Sequence, residues 1–294
     1  MSFLLAHLSD PHIGPLPKPL VRELIGKRLT GYLNWRRRST IHNMDVLSRI
    51  VGDMLAQRPD HIAMTGDILN IGLPSEFPLA RAWMQSLGRP EHVSFTPGNH
   101  DAYVASAMPR ILDTFAPWCA SDGERHTRFP YLRVRGDIAL IGVSSAVPTA
   151  PFLASGRVGA PQREALATLL EATGARGLMR VVMIHHPPWR GGATPGRGLR
   201  DARALERIIA RCGAELVLHG HNHRLLRHQM KGSGRMVPSI GVASASAVPG
   251  TPRHRAAYHL YRIARAGNAW TIEMQVRGVL AGSDAIGTIE TVVL

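Results

Sequence analysis

Residues 3–12 read Phe-Leu-Leu-Ala-His-Leu-Ser-Asp-Pro-His, so a short and largely apolar run ends directly in Asp10 and His12. Apolar runs of this length, followed at once by polar residues, are typical of a buried β-strand. Aspartate and histidine are residue types that bind metal ions. This stretch therefore predicts a strand that delivers metal-binding side chains at its carboxyl end.

Similar apolar runs recur along the chain, and helical patterns lie between several of them. The further runs are 61–64, 92–95, 138–143, 181–184 and 215–218. Between 41 and 55, apolar residues recur at three-to-four spacing after a cap at Ser39 or Thr40, which predicts a helix. Weaker helical patterns cover 76–87, 162–173 and 201–211. Alternation of strand and helix predicts α/β layers.

After His223 the pattern changes to strands joined by glycine-containing turns, at 231–234 and 265–268. Such turns favour antiparallel hairpins, here with strands at 225–230, 235–240, 258–263 and 270–275. Two sheets then form a sandwich. We expect a single domain over residues 1–294, with an insertion at 15–38 and an antiparallel β region at 224–276.

The composition is that of a globular protein, because 45% of the residues are apolar and 19% are charged. It excludes disorder, collagen and coiled coil. No apolar run approaches the roughly 20 residues that cross a bilayer, and the first residues do not resemble a signal peptide, so we expect a cytoplasmic protein. Cys119 and Cys212 lie far apart, which argues against a disulfide framework but leaves a single bridge open.

The net charge of +14 leaves two interpretations. The excess of basic residues favours anionic partners. It is also what compositional drift in an arginine-rich proteome produces, since the chain contains only three lysines.

The insertion at 15–38 places apolar residues on one helical face and basic residues on the other. This pattern is typical of a helix at an anionic membrane surface, and equally of a lid packed on its own protein. A second unusual stretch, residues 189–199, is rich in glycine and carries Arg190 and Arg197, so it predicts a mobile loop.

Five separated segments place metal-ligand residue types directly after predicted strands. They are Asp10-Pro11-His12, Gly66-Asp67, Gly98-Asn99-His100-Asp101, His185-His186-Pro187 and Gly220-His221-Asn222-His223. They supply oxygen and imidazole ligands without cysteine, which suits Mn, Fe or Zn. If the backbone stays extended, residues two apart face the same side, so Asp10 with His12 and His221 with His223 converge on a metal centre.

This ordered set resembles the calcineurin-like metallophosphoesterase superfamily, and the match spans about three quarters of the chain. The resemblance implies a two-layer mixed β-sandwich flanked by helices, with two metal ions at the strand ends. It implies Asp10, His12, Asp67 and His223 as ligands of the first ion, and Asp67, Asn99, His185 and His221 as ligands of the second. His100 takes the position of a histidine that contacts the phosphate and assists the leaving group.

Charge arithmetic agrees with this assignment. Two divalent ions bring four positive charges, and Asp10 and Asp67 return two negative ones, so the site keeps a positive excess. That excess lowers the pKa of a bridging water and neutralises a phosphate. The expected reaction is attack by a metal-bridging hydroxide, with a protonated His100 assisting the departing alkoxide.

Several residues next to the candidate ligands have two possible roles. Asp101 orients His100 or caps the next segment, and His186 supports the ligands or is structural. Arg190 and Arg197 are candidate substrate contacts. Asn70 stands where protein-phosphatase relatives carry an aspartate, which argues against a protein phosphatase. The histidines outside the motifs, among them His42, are most simply surface or structural residues.

Among branches of the superfamily, the motifs look most like bacterial relatives of the class III cyclic-nucleotide phosphodiesterases. We therefore expect a phosphodiesterase that hydrolyses a small phosphodiester, with a 3',5'-cyclic nucleotide as the candidate substrate. One alternative is a membrane-surface pyrophosphatase of the UDP-2,3-diacylglucosamine hydrolase type. Another is a non-catalytic binding scaffold of the same fold. A nucleic-acid partner is disfavoured because no stacking array is visible, and the sequence leaves the native metal pair and the oligomeric state open.

Overall fold

The computed structural model describes residues 2–37, 40–248, 255–267 and 269–294. Its strands, in chain order, are β1 (Ser2–Leu8), β2 (His61–Met64), β3 (Val93–Phe95), β4 (Tyr131–Arg135), β5 (Ile138–Gly142), β6 (Met179–Met183), β7 (Leu216–His219), β8 (Leu226–Lys231), β9 (Met236–Gly241), β10 (Ala257–Ala266), β11 (Ala269–Val279) and β12 (Ile286–Val293). Its α-helices are α1 (Lys27–Arg37), α2 (Met44–Ala56), α3 (Glu76–Leu87), α4 (Met108–Cys119), α5 (Ala160–Ala175) and α6 (Ala202–Cys212).

The strands form two mixed six-stranded sheets. The first has the order β12-β11-β10-β1-β2-β3, and the second has the order β4-β5-β6-β7-β9-β8. Strands β1, β2 and β3 run parallel to one another, as do β5, β6, β7 and β9. Parallel neighbours place their carboxyl ends at one edge of the sheet, which is where the five segments described above begin.

Three apolar layers hold the two sheets and the helices together. Between the sheets, Leu5, Tyr261 and Met274 of the first pack with residues such as Val181 and Leu218 of the second. The outer face of the first sheet is covered by α2, α3 and α4. The outer face of the second is covered by α5 and α6. The predicted sandwich flanked by helices is confirmed.

Helix α2 begins later than predicted. The side-chain oxygen of Asn43 accepts hydrogen bonds from the backbone N–H groups of Asp45 and Val46, so Asn43 is the N-cap. Thr40 precedes the helix by several residues, and Ser39 lies outside the described residues. The apolar spacing predicted the helix correctly, but the predicted pattern began at Ile41, which is not helical.

Three elements were not anticipated from the sequence: β4, α4 and β12. Pro117 lies inside α4, and a proline at an interior position argues against a helix when the sequence alone is considered. The antiparallel region expected over 224–276 is divided between the sheets. The β8–β9 hairpin joins the second sheet, where β9 lies parallel to β7, whereas β10, β11 and β12 extend the first sheet to Val293.

The insertion at 15–38 is not one continuous helix. A short 3-10 turn over Val21–Leu24 precedes α1, and Arg38 lies outside the described residues. Leu16 packs with Ile71 and Leu73 beneath it. No helix in the described part of the chain is both long and apolar enough to cross a membrane. Cys119 and Cys212 are buried and unbridged.

Candidate metal centre

The seven side chains assigned as metal ligands meet at the carboxyl ends of five strands. Asp10 and His12 follow β1, Asp67 follows β2, and Asn99 follows β3, all in the first sheet. From the second sheet, His185 follows β6, and His221 and His223 follow β7. The site thus lies where the two sheets present the ends of their parallel strands to each other.

Asp10, His12, Asp67 and His223 form the first group, with one potential ligand atom of each within 4.8 Å of the others. His223 Nε2 lies 3.2 Å from Asp10 Oδ1 and 3.3 Å from His12 Nε2. This is the set that the resemblance implies for the first ion.

Asp67, Asn99, His185 and His221 form the second group. His185 Nε2 lies 3.3 Å from Asp67 Oδ2 and 3.2 Å from Asn99 Oδ1. His221 Nδ1 lies 2.9 Å from the same amide oxygen and 3.3 Å from His185 Nε2. Asp67 is therefore common to both groups, at the boundary between them.

The spacing of these atoms fits coordination of metal ions. Nitrogen and oxygen ligands lie roughly 2.0–2.2 Å from a transition-metal ion, which puts adjacent ligands about 3.0–3.5 Å from each other. The distances in both groups fall in or next to this range. In addition, Asp10 Oδ1 and His221 Nε2 are buried side-chain atoms without a hydrogen-bond partner among the described residues. An ion at the first position would satisfy the carboxylate oxygen.

The local backbone differs from the extended conformation assumed from the sequence. Five of the seven residues adopt left-handed backbone angles, with φ between 43° and 73°: Asp10, His12, Asp67, His221 and His223. Non-glycine residues adopt this region at a cost, and they do so mainly at functional sites. His221 and His223 therefore do not face one position. His221 joins the second group and His223 the first.

A cavity of about 640 Å³ opens over the two groups. The candidate ligands His12, Asp67, Asn99, His221 and His223 line its floor, together with His100. Helix α1 contributes Gly31, Asn34 and Trp35 to its wall. Part of the insertion is thus a wall of the candidate site.

Comparisons with known proteins agree with this geometry. The family model for calcineurin-like phosphoesterases matches residues 3–225, which is about three quarters of the chain. The chain belongs to this family. It is accordingly a phosphoric ester hydrolase of the metallophosphoesterase class, as the motifs predicted.

Two curated relatives of this phosphoesterase are named as phosphodiesterases. It is 26% identical over 233 residues to the glycerophosphodiester phosphodiesterase GpdQ of Enterobacter lignolyticus, covering 78% of this chain and 73% of the relative. It is 28% identical over 178 residues to a "probable cyclic nucleotide phosphodiesterase" of a Synechococcus species, covering 60% of this chain and 62% of the relative. The match thus spans less than two thirds of the second relative.

Solved structures share the fold. A dimetal phosphatase from Danio rerio has a TM-score of 0.62 and 14% identity, with 99% of this chain and 98% of that chain covered. The purple acid phosphatase PPD1 from yellow lupin also has a TM-score of 0.62, at 10% identity, and the match covers 100% of this chain and 53% of that one. At these identities the likeness concerns the fold alone.

Backbone carbonyls of the Thr65–Asn70 stretch orient several histidines of the phosphoesterase. Thr65 O lies 2.7 Å from His185 Nδ1, and Leu69 O lies 3.3 Å from His12 Nδ1. A carbonyl can only accept, so each Nδ1 carries the proton and each Nε2 is left as the ligand atom. The same carbonyl stretch thus sets the tautomer of one histidine in each group.

Asp101 fixes the turns that carry Asp67 and Asn99. Its carboxylate accepts hydrogen bonds from the backbone N–H groups of Asp67, Ile68, Leu69 and Gly98, at 2.7–3.0 Å. These contacts match neither expected role, because the carboxylate meets neither the ring of His100 nor the segment that follows it. The ring of His100 instead donates from Nδ1 to the carbonyl oxygen of Asn70, 2.5 Å away.

Close packing explains one glycine of the motifs. Gly66 has a φ of +98°, and a Cβ there would lie 2.8 Å from His185 Nδ1. Any other residue would push the second group apart.

The ionisable groups at the floor shift one another's pKa values. Burial alone would raise the pKa of Asp67, but His185 and His100 nearby hold that pKa well below its usual value. Burial alone would lower the pKa of His185, yet Asp67 raises it to about 9. Without an ion the ring of His185 therefore carries protons on both nitrogens at neutral pH, and an ion bound at the second position has to displace the proton on Nε2.

The remaining predicted residues lie at different distances from the cavity. His186 is buried, with Nδ1 2.8 Å from Ser145 Oγ and Nε2 3.0 Å from the carbonyl oxygen of Ala154, and its ring packs on His221. Arg197 lines the cavity wall, whereas Arg190 is exposed and is not among the described residues that line it.

Sequence reasoning missed one histidine at the site. The sequence predicts a surface or structural role for His42, but its ring centroid lies 4.4 Å from that of His12 and 5.7 Å from that of His223. It also lines the cavity. The segments that carry His12, His42 and His223 are distant in sequence and meet only in the folded chain. No local motif around His42 therefore signals this position.

Proposed function

We propose that this chain is a binuclear metal-dependent phosphodiesterase that hydrolyses a small phosphodiester in the cavity above Asp67. The observation that carries the proposal is that Asp67, which lines the cavity, belongs to the first group and also lies 3.3 Å from His185 Nε2 of the second. Two ions held there would neutralise the phosphate and lower the pKa of the attacking water. Asp10, His12, Asp67 and His223 would hold the first ion, and Asp67, Asn99, His185 and His221 the second.

His100 is placed to assist the leaving group. Its backbone N–H donates to Asp67 Oδ1 at 2.7 Å, and its Nδ1 donates to Asn70, so the ring is held at the rim of both groups. Burial lowers the pKa of His100, while Asp67 and the Asn70 carbonyl act against that shift. A bound phosphodiester adds negative charge, which favours the protonated ring that can donate to an alkoxide.

The cavity suits a substrate larger than phosphate alone. Its volume lies in the range of pockets that enclose small organic ligands. Trp35 and Tyr103 supply aromatic surface to its lining, and Arg197 and Arg224 supply positive charge. The names of the two curated relatives support glycerophosphodiesters and cyclic nucleotides as the first substrates to test.

Hydrolysis by the metal-loaded protein tests the reaction class. We expect turnover of bis-p-nitrophenyl phosphate to exceed that of p-nitrophenyl phosphate at equal concentration, measured as nitrophenolate release. A panel of 3',5'-cyclic nucleotides, glycerophosphodiesters and UDP-diacylglucosamine then identifies the substrate class. Preference for the monoester would contradict the diesterase proposal, and preference for the UDP-lipid would favour the pyrophosphatase alternative. Loaded protein that hydrolyses none of these esters would favour the scaffold.

Replacing His100 with alanine should lower kcat by about 10²–10⁴-fold for a diester with a poor alkoxide leaving group. The loss should be much smaller for bis-p-nitrophenyl phosphate, because nitrophenolate departs without a proton. Metal content measured on the same samples should match the wild type, since His100 belongs to neither ligand group. Equal losses on both substrates would refute the acid role.

We also propose that the outer surface of the insertion contacts an anionic membrane. Val21 is 90% exposed and Ile25 is 78% exposed, and Leu20, Leu29 and Leu33 are exposed beside them in sequence. Lys27 Nζ donates to the carbonyl oxygen of Leu153, which brings the 90% exposed Phe152 to the same region.

The charge of the segment complements such a surface. Glu23 is the sole acidic residue between 15 and 37, against exposed Lys18, Arg22, Arg36 and Arg37. Exposed apolar side chains surrounded by basic ones are the usual features of interfacial binding to anionic lipid. The insertion thereby combines the two roles that its sequence left open, because its inner residues line the cavity.

A double variant, Val21→Ser with Ile25→Ser, tests the membrane contact by vesicle flotation. Wild type should float with phosphatidylglycerol-containing vesicles and not with phosphatidylcholine alone, and added salt should weaken the binding. Loss of two large apolar side chains should lower partitioning more than tenfold. Leu79→Ser with Leu112→Ser, which removes exposed leucines from α3 and α4, is the matched control. Equal flotation of wild type and the double variant would exclude the contact.

A further inference from the structure

His42 is held beside the first ligand group by a short antiparallel pairing. The backbone N–H of Asn43 donates to the carbonyl oxygen of Ser246 at 2.9 Å, and that of Val248 donates to Ile41 at 3.0 Å. His42 itself is opposite Ala247 in this bridge. The segment after β9 thus fixes the backbone on both sides of the histidine.

A chain of buried hydroxyl groups connects His42 to the segment that carries Asp10. His42 Nδ1 lies 2.7 Å from Ser246 Oγ, and Ser246 Oγ lies 3.4 Å from Ser244 Oγ. Ser244 Oγ donates to the carbonyl oxygen of Asp10 at 2.7 Å. Both serines are fully buried. Because Nδ1 faces Ser246, the opposite ring nitrogen, Nε2, is the one suited to an ion.

The imidazole shares its surroundings with two ligands of the first group. One ring nitrogen each of His12, His42 and His223 lie within 4.8 Å of one another. The ring of His42 is closest to that of His12, at 4.4 Å between centroids, and it faces the cavity.

We propose that His42 is a further imidazole of the first metal position, presenting a ring nitrogen to the same ion as His12 and His223. The inference rests on the proposed binuclear centre, and it adds a residue that the family motifs do not include. Its consequence is metal selectivity. A third imidazole shifts a carboxylate-containing position away from Mn²⁺ and towards borderline ions such as Co²⁺ and Zn²⁺.

Calorimetric titration of chelator-treated protein with CoCl₂ and, separately, MnCl₂ tests this inference. Wild type should bind two ions per chain. In His42→Ala, the ratio of Co²⁺ affinity to Mn²⁺ affinity should fall tenfold or more at one position and change less than twofold at the other. His42→Asn, which keeps a polar group beside Ser246, should show the same selective loss. His126→Ala removes an exposed histidine of a distant loop and is the matched control.

The outcomes separate the inference from the proposed function. Two bound ions in wild type, with an unchanged Co²⁺/Mn²⁺ ratio in both His42 variants, would overturn the role of His42 and leave the binuclear centre intact. An equal loss of both ions, with the ratio unchanged, would show a merely structural role and would overturn it too. Wild-type protein that binds neither ion would overturn the centre and the inference together.

Discussion

The structure depends on one electrostatic constraint. The carboxylates of Asp10 and Asp67 are packed together with four imidazoles, and neighbouring ligand atoms lie 2.9–3.3 Å apart. Such a group is costly to bury unless cations offset its charge. The arrangement persists because the backbone enforces it. Parallel strands of both sheets end at this edge, and five of the seven candidate ligands have left-handed backbone angles that turn their side chains inwards.

The residues around the ligands are as specialised as the ligands themselves. The carboxylate of Asp101 accepts hydrogen bonds from four backbone N–H groups and so fixes the turns after β2 and β3. Carbonyls of the same turn set the tautomers of His12 and His185. On the other side, Ser244 and Ser246 connect Asp10 to His42. Hydrogen bonds of this kind position metal ligands and tune their basicity.

The sequence was sufficient for the features that depend on local pattern. The spacing of apolar residues and the short apolar runs predicted the sandwich, and the five motifs predicted which side chains meet. The sequence did not predict the positions of residues that are brought to the site by contacts between distant segments. His42 reaches the site through a bridge to Ala247, some 200 residues away, and His221 and His223 separate because their backbone is left-handed rather than extended. The exposed face of the insertion was likewise undetermined, since spacing alone does not reveal which apolar residues find a partner.

The proposed centre requires that two ions share Asp67. Anomalous diffraction from crystals of the chain grown with manganese tests it most directly. Two peaks per chain are expected about 3.5–4 Å apart, with the Asp67 carboxylate between them, the first peak beside His12 and the second beside His185. A single peak that leaves either ligand group without an ion, or two peaks of which one does not touch Asp67, would contradict it.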